Sequence, residues 1–159
     1  MWKGTERIEI AAPPEAVWSV VADVSRHSEL AGSGEVKAIR VNGTIAKGAT
    51  WEADESIKMV GQFTARSECT VFEPPREFSW KSYPPPIKKG DDNSVPDVTW
   101  WFRLEPRDGN TLLEHSFQVV PPQSGGLMMK VFYLLTRRAS TIRKGMRRTL
   151  ENVKAAVEG

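Results

Sequence analysis

The stretch from Ser124 to Glu158 constrains this chain more than any other. Within it Leu127, Val131, Leu135, Ala139, Ile142, Met146, Leu150, Val153 and Val157 recur at steps of three or four. That spacing lays one apolar stripe along a 3.6-residue helix. Pro121, Pro122, Gly125 and Gly126 bar an earlier start, and Ser124 is placed to cap the free N–H groups of the first turn. At ~1.5 Å per residue an unbroken helix would run roughly 45 Å. A helix exposing such a stripe is unstable alone in water, so the remainder of the chain must cover it.

That remainder reads mostly as strands. Thr5 to Ile10 alternates, with Ile8 and Ile10 on one face. Pro13-Pro14-Glu15 then opens a helix, since proline is tolerated in the first turn and an acid there favours the dipole. Val17, Val20 and Val21 give it an apolar face. A second short helix is predicted over Val24 to Leu30, ended by Gly32 and Gly34. From Glu35 onward the texture changes. Val36, Ala38 and Arg40 share one face of a strand that ends at an Asn42-Gly43 turn. Trp51 to Met59 and Phe63 to Phe72 follow, joined at Gly61, and Pro74-Pro75-Arg76 makes the next turn. Phe78, Trp80 and Ser82 mark another strand, and a proline-rich loop covers Pro84 to Pro96. Val98 to Glu105, an Asp108-Gly109 turn and Thr111 to Val120 complete the series. Hairpin-linked strands give an antiparallel sheet whose apolar face the terminal helix must cover, an α+β architecture.

At 159 residues, with 40% apolar and 26% charged residues, the chain is expected to form one domain, 1–159, with room for a core and a cavity. A net charge of +2 gives no reason to expect a nucleic-acid partner. Cys69 is the single cysteine, which excludes an internal disulfide and a thiolate cluster. Two distant histidines predict no metal site, and no Gly-rich phosphate loop points to a cofactor. The N-terminus lacks the apolar run of a signal peptide. Leu127 to Leu135, the longest nearly apolar run, contains Lys130 and is about half a membrane span. The expectation is a cytoplasmic domain without stable membrane insertion.

The run Ala12-Pro13-Pro14-Glu15-Ala16-Val17-Trp18-Ser19-Val20-Val21-Ala22-Asp23-Val24 resembles the opening of the polyketide cyclase/dehydrase-like proteins. These belong to the START/Bet v1-like (SRPBCC) superfamily. Gly48-Ala49-Thr50-Trp51, Glu73-Pro74-Pro75-Arg76, Trp100 to Pro106 and Gly109-Asn110-Thr111 resemble further segments of that family. The resemblance implies the helix-grip fold: a curved seven-stranded antiparallel sheet around a long C-terminal helix, with two short helices after the first strand. Family members bind hydrophobic small molecules, carry lipids, or catalyse cyclisation or dehydration. They share no catalytic set that carries over to these residues.

In a meander, alternate turns fall at opposite ends of the sheet. Val60-Gly61, Pro84 to Pro96 and Pro121 to Gly126 therefore gather at one end and are expected to form the mouth of a pocket. Candidate lining residues on the inward phase of the strands are Trp51, Ala53, Phe63, Ala65, Ser67, Phe78, Trp80, Trp100, Phe102, Leu113 and Phe117. Leu127, Val131 and Leu135 are expected to line it from the helix. The alternative is that these side chains simply fill the core. Two inward residues are polar. His115 is a candidate ligand-orienting group or general acid or base, against the alternative of a buried neutral histidine bonded to a backbone carbonyl. Glu55 is a candidate acid whose pKa burial would raise, against a bulge or an ion pair that removes it from the cavity. Cys69 reads as a small buried hydrophobe and His27 as exposed.

Lys130, Arg137, Arg138, Lys144, Arg147, Arg148 and Lys154 are expected on the outward side of the last helix. Its start, Leu127 to Leu135, is apolar all round and calls for cover from a second copy of the chain, the Pro84–Pro96 loop or a membrane surface. Three functions follow. The first is a binding or carrier protein for a hydrophobic or aromatic small molecule. The second is a cyclase or dehydratase using His115 and Glu55 in the same cavity. The third is a partner-binding module acting through the basic last helix.

Overall fold

A computed structural model describes residues 1–159. Strand β1 (Trp2–Ile10) leads to helix α1 (Pro14–Val21), and a single 3-10 turn then runs into α2 (His27–Leu30). Six strands follow: β2 (Val36–Asn42), β3 (Thr50–Ile57), β4 (Gly61–Glu73), β5 (Glu77–Tyr83), β6 (Asp97–Arg107) and β7 (Asn110–Val120). Helices α3 (Gly126–Thr136) and α4 (Arg138–Glu158) close the chain. All seven strands form one antiparallel sheet in the order β1-β7-β6-β5-β4-β3-β2. The meander is thus closed at one edge by β1, which lies beside β7 along its whole length. This is the helix-grip α+β fold.

The sheet's inner face and α4 share the main core. Trp51, Cys69, Phe78, Phe102, Leu104 and Leu113 from the sheet meet Leu150 and Val153 from α4, with α1 packed at one end. Close approach of the helix depends on two glycines. A Cβ on Gly32, in the α2–β2 link, would lie 2.4 Å from the Arg148 Cβ and 2.6 Å from the Gly145 carbonyl. One on Gly145 would meet the Ser33 Cβ at 3.2 Å. The link therefore lies directly against α4, and the Gly32 N–H donates to Thr149 Oγ1 at 2.9 Å.

Three sequence expectations need correction. The last helix is not continuous: Arg137 adopts φ 53°, ψ 42°, a left-handed residue that ends α3 as a C-cap and starts α4 in a new direction. Gly125, at φ 78°, is the N-cap of α3, and the Ser124 N–H is instead bonded to the Asn93 carbonyl. Second, β2 carries a bulge between Val36 and Ala38, which reverses the side-chain phase beyond it. Ile39 and Val41, rather than Ala38 and Arg40, pack on the core. Third, Arg138 is not on the outward side of the last helix; it is turned inward onto Glu35. No helix is long and apolar enough to cross a membrane.

The break re-aims the apolar stripe. On α3, Met129 and Tyr133 pack toward a small cluster of Phe117, Val119, Ile142 and Met146, with Trp2 stacked on Tyr133 at 3.9 Å. Leu127, Leu134 and Leu135 are left 77%, 79% and 78% exposed, and Val131 is exposed as well. The Pro84–Pro96 loop reaches the start of α3, where Ile87 approaches Gly125.

Candidate functional site

The inner sheet face, α2, the α2–β2 link and α4 enclose a cavity of about 160 Å³. Its sheet wall carries Trp51, Ala53, Glu55, Ser67, Trp80, Trp100, Phe102 and His115. Of the candidates named from sequence, Phe63, Ala65, Phe78, Leu113 and Phe117 are not on this wall. Phe78, Leu113 and Phe117 are fully buried in packed core, and Ala65 is buried too. Leu127, Val131 and Leu135 do not line the cavity either, because the break at Arg137 turns them to the surface. The helical wall comes instead from α4, through Thr141, Ile142, Gly145, Met146, Thr149 and Val153. The expected mouth loops contribute nothing to the lining; Leu30, Ala31, Ser33, Glu35 and Val36 take that place.

Two histidines stand over an aromatic cluster. His115, midway along β7, is 5% exposed, and its ring stacks on Phe102 with centroids 4.2 Å apart and planes within 14°. The Trp100 ring lies near-parallel to the His115 ring, with centroids 5.6 Å apart. His115 Nδ1 lies 3.1 Å from the Trp101 carbonyl, which can only accept, so Nδ1 carries the proton and Nε2 keeps a lone pair with no protein partner. Burial pushes its pKa down to about 4 despite that hydrogen bond, so the ring is neutral near pH 7.

His27, expected at the surface, belongs to the same cluster. It lines the cavity, and its ring is 5.5 Å from that of Trp80 and 6.2 Å from that of Phe102. Its Nε2–H donates to the Val21 carbonyl at 2.8 Å, satisfying one of the free carbonyls at the end of α1. That bond explains the inward turn: α1 stops at Val21 and the tight turn after it brings His27 back under the helix end. Burial lowers the His27 pKa as well.

Acidic groups sit at the other end of the sheet wall, where β3 approaches its turn into β4. Glu55 pairs across the strands with Val36, which places it beside Glu35. Arg138, the first residue of α4, makes a two-pronged ion pair with Glu35, in which Nη2 lies 2.8 Å from Oε2. Glu55 has no such partner. Burial first, and then the neighbouring Glu35 carboxylate, raise its pKa to about 7, with Arg138 opposing. Glu55 and His115 thus line one cavity without pairing. The charged neighbours of Glu55 are Glu35 and Arg138, whereas the ionisable neighbour of His115 is His27.

Cys69 is buried in the core, its thiol directed at the Val71 carbonyl, and burial pushes its pKa up to about 11; it lies off the cavity wall. No group of three or more His, Cys, Asp or Glu side chains is arranged to hold a metal ion. Three ionisable lining residues were not among the candidates that the sequence offers. Arg138 sat among regularly spaced basic residues, Glu35 began a strand, and His27 sat among Arg26, Ser28 and Glu29. Among the α4 lining residues, Ile142, Met146 and Val153 carry a signal, as members of the helical stripe.

A family model described as polyketide cyclase / dehydrase and lipid transport matches residues 1–158. No curated protein matches the chain by sequence. Among solved structures, one domain of the di-domain ARO/CYC StfQ of the steffimycin biosynthetic pathway superposes with a TM-score of 0.72 at 13% identity; 98% of this chain covers 50% of that one. The Zhui aromatase/cyclase from Streptomyces sp. R1128 superposes with a TM-score of 0.64 at 14% identity, covering 98% of this chain and 93% of that one. A Polyketide_cyc-like protein from Corynebacterium glutamicum gives 0.61 at 22% identity, covering 98% and 91%. At these identities the likeness bears on the fold.

Proposed function

The chain belongs to the polyketide cyclase / dehydrase and lipid transport family, and on that premise we propose that it binds a hydrophobic or aromatic small molecule between sheet and α4. The observation that carries this reading is the wall formed by Trp51, Trp80, Trp100 and Phe102 around open space inside the fold. Flat aromatic faces give a ligand a large apolar contact area at little cost in side-chain entropy. Transfer of the ligand between sites is the natural use of such a protein.

A second reading, a cyclase- or dehydratase-type enzyme acting on a polyketide-like substrate, is favoured by one specific feature. His115 lines the cavity with its Nε2 unpartnered as a potential base, and Glu55 holds a proton close to neutral pH as a potential acid. Basicity weighs toward the first. With its pKa pushed down to about 4 from the ordinary histidine value of 6.5, His115 is a far weaker base than free imidazole. Orienting a ligand suits it better than removing a proton.

Native mass spectrometry of protein purified gently from its host, compared with the denatured mass, tests the binding reading. An adduct of small-molecule mass that disappears on denaturation supports it. Once a ligand is in hand, His115→Ala separates the readings. Loss of turnover with retained binding favours the enzyme, and a change in affinity alone favours the carrier.

A further inference from the structure

We infer that the cavity selects an apolar or aromatic ligand that carries a protonated amine, seated with its ammonium against the Glu55 carboxylate. The inference rests on the binding reading above and names the ligand class. It follows from the charges on the wall. Glu35, Glu55 and Arg138 face the cavity, and Arg138 is the sole lysine or arginine among the lining residues. Both prongs of its guanidinium are engaged by Glu35. Two carboxyl groups therefore share one cation, and the one left over is Glu55, which has no ion-pair or hydrogen-bonding partner of its own. A ligand carboxylate would have to dislodge Arg138 from Glu35 and approach Glu55 against like charge. An ammonium supplies the missing counter-charge in a site partly removed from water, where a charge-assisted hydrogen bond is strong.

Two independent features agree. The indoles of Trp51, Trp80 and Trp100 line the cavity, and an indole ring attracts a cation as well as an apolar body. Second, His115, 5% exposed, lines the same space, and with its Nδ1 engaged by the Trp101 carbonyl its Nε2 has no protein partner. It offers a second acceptor and, again, no positive charge. The wall is built to receive donors and cations.

The test uses three probes that share one ring system: naphthylmethylamine, naphthalenemethanol and naphthoate, titrated calorimetrically into the intact protein at mildly alkaline pH. The expected order is amine tightest, by about tenfold over the alcohol, with naphthoate weakest. In Glu55→Gln the ratio of amine to alcohol affinity should fall toward one. That ratio is taken on a single preparation, so a partly unfolded variant does not distort it. Tightest binding of naphthoate would overturn the inference, and so would an amine preference unchanged in Glu55→Gln. Binding of the alcohol in either case would leave the cavity reading standing. No heat from any of the three would overturn the cavity reading and the amine preference together.

Discussion

Arg138 and Glu35 meet across 103 residues of sequence, joining the first turn of α4 to the start of β2 through two parallel N–H···O contacts. With side chains only 13% and 20% exposed, the pair is shielded enough to matter to stability. Removing one partner strands the other charge in a partly desolvated site. Arg138→Met is therefore expected to lower unfolding free energy by about 2 kcal/mol, read from denaturant titration. The double variant Arg138→Met/Glu35→Gln should recover a substantial part of that loss, because neither charge is then left alone.

Glu55 makes a separate, pH-dependent prediction. Its folded pKa of about 7 lies above the ordinary glutamate value of 4.5, so the folded state holds the proton more tightly than the unfolded state. The protonated group carries no penalty below about 4.5, and stability is lost as pH rises through about 7. Glu55→Gln, which cannot ionise, should match the wild type in acid and exceed it by about 2 kcal/mol above neutrality. Paired denaturation curves across that range check this. Arg138→Met should shift the window upward, since Arg138 opposes the rise.

The histidines act in the opposite direction. His115 is depressed to about 4 from 6.5, so its contribution is present above about 6.5 and is lost as pH falls toward 4. His27 is lowered too and adds to the same loss. His115→Gln should flatten the acid limb of the stability profile relative to wild type. In ring NMR spectra the wild-type His115 should remain neutral, with its proton on Nδ1, at pH values where an exposed histidine is already charged.

Arg137 makes the break in the last helix testable. A side chain in the left-handed region is strained, and Arg137 is solvent-exposed, so Arg137→Gly should raise stability by about 1 kcal/mol. The re-aimed stripe gives a companion contrast. Leu150→Ala, deep in the core, should cost about 3 kcal/mol, whereas Leu134→Gln on the exposed face of α3 should change stability by less than about 0.5.

These residues also show what was legible in the chain. The strands were readable because period-two alternation in Phe63–Val71 or Val98–Leu104 is enforced by one buried face, and the turns because Asn42-Gly43 and Asp108-Gly109 need unusual backbone angles. Arg137 gave no warning: it is neither Gly nor Asn, and the apolar spacing runs through it unbroken. The bulge in β2 was hidden for a similar reason, since one extra residue leaves composition unchanged while swapping the faces of Ala38 and Ile39. The site was half readable. Inward phase brought Trp51, Trp80, Trp100, Phe102, His115 and Glu55 to one wall, but phase alone does not separate wall from core, as Phe78 and Leu113 show. His27 and the Glu35–Arg138 pair depend on a distant carbonyl and a distant charge, which no local pattern encodes.

The most direct measurement is the set of indole N–H resonances as naphthalenemethanol is added. Trp51, Trp80 and Trp100 line the cavity, whereas Trp2 lies against Tyr133 under α3 and Trp101 lies beneath Arg103. Ligand entry between sheet and α4 predicts saturable shifts of the Trp51, Trp80 and Trp100 signals with Trp2 and Trp101 unmoved. Shifts confined to Trp2, or no saturable shift at all, would contradict a ligand site inside the grip.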